Sequence, residues 1–101
     1  MPVMVHILLH FVVPLIVARL AFAKHWRRAF GIMMVTMLVD LDHLRAYPIY
    51  DPDRCSIGFH PLHSSVPILV YCLFVLTPKL RTLGVGLVLH MVLDGFDCLL
   101  N

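Results

Sequence analysis

Histidine and aspartate are the residues of this chain that could do chemistry: seven His and six Asp, with no Glu. Their spacing is helical. His6 and His10 are four residues apart, as are His90 and Asp94, with Asp97 three further on. Asp40 and His43 are three apart, and Asp42 lies between them. Residues three or four apart share one face of a helix, so each pair offers two ligands in one direction. His60 and His63 make a further pair around Pro61. Imidazole with carboxylate is a ligand set for a divalent metal, zinc first, with manganese or iron as other candidates. One metal takes three or four ligands, and this inventory reaches ten, enough for two ions or for one ion with a shell of orienting carboxylates. No Ser/His/Asp or Cys/His nucleophile competes, since Ser64 and Ser65 lack an activating context.

The elements that must position these groups follow from composition. Of 101 residues, 60% are hydrophobic and 14% charged, with a mean hydropathy of +0.90. A soluble domain carries about 45–50% apolar and about 25% charged residues, and small domains bury the smallest share of their surface. Disorder, a disulfide scaffold and an ordinary cytosolic domain are excluded on these grounds. A formal charge of +2, without basic patches interleaved with aromatics, argues against nucleic acid. The expectation is an all-α, integral-membrane four-helix bundle, a single transmembrane domain over 1–101. Its spans fall at about 2–23, 29–46, 62–77 and 82–100. A secretory signal carries positive charge before its apolar run. Here Arg19, Lys24, Arg27 and Arg28 follow the run, so the first helix is read as uncleaved.

Short cytoplasmic loops collect Lys and Arg. Arg19, Lys24, Arg27, Arg28, Lys79 and Arg81 fall on one side, and only Arg45 and Arg54 on the other. Both termini and the loop at 47–60 are therefore expected on the outer side, with Trp26, Tyr47 and Tyr50 as interfacial anchors. On that topology all the Asp, and every His except His25, gather in the outer half of the bundle. Ionisable groups within a span face a partner or a cavity, and here they can only face one another. Taken singly, each motif has a blander reading. His6 and His10 suit core or interfacial histidines, Asp40 to His43 a helix cap or a partner for Arg45 or Arg54. His60 to Ser64 suits a polar helix start capped by Ser64 and Ser65. Convergence of four segments on one leaflet favours the metal.

Cys55 in the outer loop and Cys98 at the end of the fourth span both face the outer side, where a disulfide between them is one reading. Two free thiols, or one soft metal ligand, are the others. Cys72, mid-span, is expected as a small core residue.

The stretches Val39-Asp40-Leu41-Asp42-His43, His60-Pro61-Leu62-His63-Ser64 and His90-Met91-Val92-Leu93-Asp94 resemble the ordered motifs of the LexA-regulated inner-membrane metal-dependent hydrolases. More closely, the whole chain resembles a small bacterial family of membrane proteins of unknown function, on the stretch Arg54 to Ser64 and on Asp97-Cys98. Two differences from the larger relatives stand out: only two residues separate His60 from His63, and the chain is shorter.

The resemblance implies a multi-pass protein of the bacterial inner membrane that hydrolyses a lipid or lipid-linked phosphoester or acyl bond at the outer leaflet. His10, Asp42, His63, His90 and Asp94 would ligate the metal. Asp40 would be a ligand or general base, and His43 a ligand or proton shuttle. His6, His60 and Asp97 would orient ligands or meet substrate. The competing expectation is a non-enzymatic metal or haem binder, a permease subunit or sensor. Four short helices bury little area, so a homo-oligomer is compatible with either.

Overall fold

The computed structural model describes residues 3–45, 55, 57, 58 and 60–100, with the side chains of 3 and 41–45 left aside. Every regular element among them is helical. Helices α1 (Val3–Ala21), α2 (Trp26–Val35), α3 (Ser65–Leu76) and α4 (Arg81–Leu100) are joined or extended by 3₁₀ segments at Ala23–His25, Thr36–Arg45, Pro61–His63 and Pro78–Leu80. Met4–Ala21 and Pro78–Leu100 are long and apolar enough to cross a membrane by length and composition.

Helix α4 is the hub and packs against α1, α2 and α3. Two glycines make this possible. A Cβ on Gly84 would stand 2.6 Å from the Val75 backbone nitrogen and 2.7 Å from Phe74 Cβ, so α3 and α4 touch there. A Cβ on Gly86 would stand 2.9 Å from Thr36 Cγ2 and 3.0 Å from Met33 Cα, which brings α2 equally close on another face. On the α1 side, Ala18, Ala29 and Met33 form a small-residue contact, walled by Phe22, Trp26, Phe30 and Val85. Tyr71, Leu87 and Met91 fill the α3 side.

The second apolar run departs from the continuous helix expected over 29–46. It is α-helical to Val35 and 3₁₀ from Thr36 to Arg45. The switch has a local cause: the backbone N–H of Thr36 donates to the Met33 carbonyl, and the Thr36 hydroxyl donates to the same oxygen. The backbone bond closes the tighter i→i−3 ring that defines 3₁₀ structure, and the hydroxyl occupies the same carbonyl. Runs of this type rarely exceed three or four residues, so a ten-residue segment needs support from outside, and Gly86 beneath Thr36 provides it. The third run is also shorter than 62–77. Its α-helical part is the 12 residues of α3, because Pro61 and Pro78 start 3₁₀ turns on either side.

Two smaller expectations are corrected. Ser64 occupies the N-cap position of α3 but makes no capping bond there. Its hydroxyl turns back to the Pro61 carbonyl at 2.7 Å and braces the preceding turn instead. Cys72 is exposed on α3 rather than packed in the core, because the inward face of that helix is taken by Tyr71. Trp26 lies beneath Arg19 and Arg27; Tyr47 and Tyr50 lie outside the described residues.

Gly84→Ala is expected to lower the thermal unfolding midpoint of the purified protein, at a cost of about 1–3 kcal/mol for forcing a methyl against backbone. Gly31→Ala meets nothing within 4 Å and is expected to raise it, by up to about 1 kcal/mol of helix propensity. Equal shifts for the two would contradict the close approach at Gly84.

Candidate metal centre

The packing at Gly86 sets the register of the site one turn further on. Four residues beyond Gly86 lies His90, and four beyond Thr36 lies Asp40. His90 Nε2 and Asp40 Oδ1 meet at 3.0 Å. Asp94, the next turn of α4, is buried with 5% exposure, and both of its oxygens face imidazoles. Oδ1 is 3.1 Å from His6 Nε2 and 3.2 Å from His10 Nε2. Oδ2 is 3.0 Å from His63 Nε2 and 3.2 Å from His90 Nε2.

His63 arrives from outside the four helices, and its placement is built from several small constraints. Pro61 starts a single 3₁₀ turn, and the His63 N–H closes it on the His60 carbonyl at 3.0 Å. The Tyr71 hydroxyl donates to the Leu62 carbonyl at 2.9 Å, which ties the turn to α3. The Gly58 N–H donates to the His63 carbonyl at 3.0 Å. Gly58 has φ +82°, a left-handed conformation that glycine adopts without a Cβ penalty. Finally Cys55 and Cys98 form a disulfide, with their Cα atoms 5.0 Å apart, that fastens this loop to the end of α4. His63 is left with no exposed surface.

The described residues contain two groups able to hold a metal ion: Asp40, His63, His90 and Asp94, and His6, His10 and Asp94. In the first, five of the six ligand-to-ligand distances run from 3.0 to 3.4 Å. A regular tetrahedron with metal–ligand bonds of about 2.0–2.1 Å has edges of about 3.3 Å, and these five distances fall close to that length. Asp94 Oδ2 is buried without a hydrogen-bond partner among the described residues, although two ring nitrogens lie within 3.2 Å of it.

In the second group the tautomer of one ligand is forced. His10 Nδ1 lies 2.8 Å from the His6 carbonyl oxygen, which can only accept, so Nδ1 carries the proton. In a neutral His10 ring, the Nε2 lone pair then faces a carboxylate oxygen at 3.2 Å. Two acceptors at that distance repel unless a cation stands between them. Backbone bonding of the remote nitrogen is the usual way a metal-ligating histidine is oriented. Behind His6, Asp97 Oδ1 lies 3.9 Å from Nδ1, so the His6 ring has a carboxylate on either side.

The structure thus brings together His6, His10, Asp40, His63, His90, Asp94 and Asp97. His60 is buried and stacks edge-on against His63, with ring centroids 5.7 Å apart, but belongs to neither ligand group. His60 is therefore placed as a wall of the site. The side chains of Asp42 and His43 lie outside those described, as do Asp51, Asp53 and Arg54. His25 is exposed at the opposite end. The role of Asp94 as the shared carboxylate was not visible in the His90/Asp94 spacing, which is the same for a simple i, i+4 pair.

The family comparison matches residues 1–101. The chain belongs to DUF6122, a family of unknown function. No curated protein and no solved structure matches the DUF6122 chain. Membership in DUF6122 establishes no link to the LexA-regulated hydrolases, so a hydrolytic role rests on the chemistry of the site itself.

Because the disulfide holds the loop that carries His63, reduction or Cys98→Ser is expected to weaken zinc binding about 10- to 100-fold, the range for loss of a ligand-supporting contact. Helix content should be unchanged. Competition with a chromophoric chelator measures the first and circular dichroism the second. Unaltered affinity after reduction would show that the loop does not position the ligand.

Proposed function

We propose that this chain is a membrane-embedded, metal-dependent hydrolase acting on a lipid or lipid-linked phosphoester or acyl bond at the outer leaflet. The observation that carries the proposal is the carboxylate of Asp94, with one oxygen in a four-donor group and the other in a three-donor group. Asp40, His63, His90 and Asp94 would hold one divalent ion, and His6, His10 and Asp94 a second. Two such ions would supply the paired Lewis acids that two-metal hydrolases use, and three protein ligands are the usual number at a catalytic zinc. Mixed nitrogen and oxygen donors at tetrahedral spacing favour zinc over the harder ions.

The membrane setting is supported by an inverted distribution of polarity. Among the described residues His10, His60, His63, His90 and Asp94 are buried, while Met4, Leu20, Leu76 and Leu99 are each more than 70% exposed. Water would penalise that surface and a bilayer would not. The long dimension of 41 Å matches a bilayer with its headgroups, about 40–45 Å. Helix α2 and the 3₁₀ segment after it together rise about 35 Å at 1.5 and 2.0 Å per residue, so this short helix and its extension still cross. The basic turns then face the cytoplasm, and the bacterial inner membrane is the setting the charge bias favours.

A bound divalent metal supplies Lewis acidity and a nucleophilic water at neutral pH. Asp40, whose side chain keeps 40% exposure, is placed to accept a proton from an attacking water. Asp97 stands behind the imidazole of His6, 3.9 Å from its Nδ1. From His63 a groove of about 570 Å³ runs along α3 past Ile57, Ile68 and Leu69. Its apolar walls suit an acyl or isoprenoid chain, with Ser64 and Ser65 on its polar side. The space beside His10 and His90 is about 10 Å³, enough for one water and far too small for a macrocycle, which disfavours the haem reading.

Release of phosphate or fatty acid from vesicles of phospholipid or lipid-linked diphosphate tests the proposal. Turnover should disappear on chelation and return with zinc or manganese. Asp40→Asn should lower kcat about 10²- to 10⁴-fold, the usual contribution of a general base, and should also weaken the ion of its own group, since Asp40 is one of that group's four donors. A fully metal-loaded protein that cleaves none of these lipids would overturn hydrolysis and leave a metal-binding protein.

A further inference from the structure

The basic residues at the end opposite the metal centre divide into two sets. Arg19 and Arg27 lie over the Trp26 ring, at 4.7 and 5.3 Å from its centroid. Arg81 Nε donates to the Val75 carbonyl at 2.9 Å. Lys24, His25, Arg28 and Lys79 are exposed and have no such partner among the described residues. These four line one cavity of about 560 Å³, whose other walls include Phe22, Ile32, Leu80 and Leu83.

Among the described residues no carboxylate side chain is placed to neutralise them. The chain has no acidic residue before Asp40 and none between Asp53 and Asp94. The cavity also borders the first turns of α2 and α4, neither of which contains an acid, and helix N-termini add positive potential. A charge bias toward one side of a membrane accounts for the number of cations. It does not account for three unpartnered ones, Lys24, Arg28 and Lys79, converging on an apolar-walled cavity while Arg19, Arg27 and Arg81 are engaged elsewhere.

We propose that this cavity binds the phosphate headgroup of an anionic phospholipid from the inner leaflet, with the start of its acyl chains against Phe22, Ile32 and Leu83. Arg28 offers a planar fork for two phosphate oxygens, and Lys24 and Lys79 are mobile point charges on either side. An inorganic anion would use the cations and leave the apolar wall in water. A lipid uses both. The inference needs the membrane setting proposed above but neither the metals nor hydrolysis, so it stands or falls separately from them.

The test is native mass spectrometry of the full chain titrated with phosphatidylglycerol and, in parallel, phosphatidylcholine. Phosphatidylglycerol should be retained preferentially. Lys24→Gln, Arg28→Gln and Lys79→Gln should each weaken it about fivefold, the factor expected for one basic residue at an anionic lipid surface. Helix content and metal content should stay constant, since these side chains are exposed and belong to the other end of the molecule. Arg27→Gln and Arg81→Gln, outside the cavity, should leave binding unchanged. Three results would overturn the proposal: equal retention of phosphatidylcholine, an Arg27→Gln effect as large as that of Lys79→Gln, or displacement of the lipid by millimolar inorganic phosphate. The last would assign the cavity to a soluble anion.

Discussion

The carboxylate of Asp94 is the group around which this fold is organised. It sits on the central helix, 5% exposed, within 3.0 to 3.2 Å of four imidazole nitrogens. A carboxylate so far from water is costly unless it is partnered, and the four rings that surround it come from α1, from the turn before α3 and from α4 itself. Each must be delivered by a separate device. Helix α1 brings His6 and His10 on one face. The glycines of α4 let its neighbours close in, and a disulfide with a left-handed glycine seats His63. Loss of any device would leave a charge buried without its partner, a larger penalty than loss of an apolar contact.

Much of this was legible in the residues alone. The i, i+4 spacing of His6/His10 and His90/Asp94 translated directly into shared helix faces, because helical periodicity depends only on spacing. The convergence of segments on one end followed from topology, and one of the alternatives for Cys55 and Cys98 is the bond observed. The 3₁₀ switch at Thr36 was not legible. It depends on a hydroxyl choosing the carbonyl three residues back, and on Gly86 lying against Thr36, a contact between residues fifty positions apart. Asp40 owes its place beside His90 to that contact. The alternative reading of Ser64 as a helix cap does not hold for a related reason: its hydroxyl has an acceptor in the turn that seats His63.

The two ends of the molecule are electrostatic opposites. One gathers carboxylates and imidazoles into two groups that could hold a metal ion. The other gathers ammonium and guanidinium groups around a cavity with no acid in reach. Between them the helices present Val, Leu, Met and Ala to one another, and nothing polar continues from one end to the other along α4 between Thr82 and His90. That separation favours chemistry at one surface over a path for ions through the protein.

Elemental analysis of the purified protein tests the central claim most directly. Two divalent ions per chain are predicted, with one retained in His10→Ala and none in Asp94→Ala, because only Asp94 belongs to both ligand groups. A wild-type protein that holds no metal after reconstitution with zinc and with manganese would contradict the account and leave the buried cluster as a proton-sharing network.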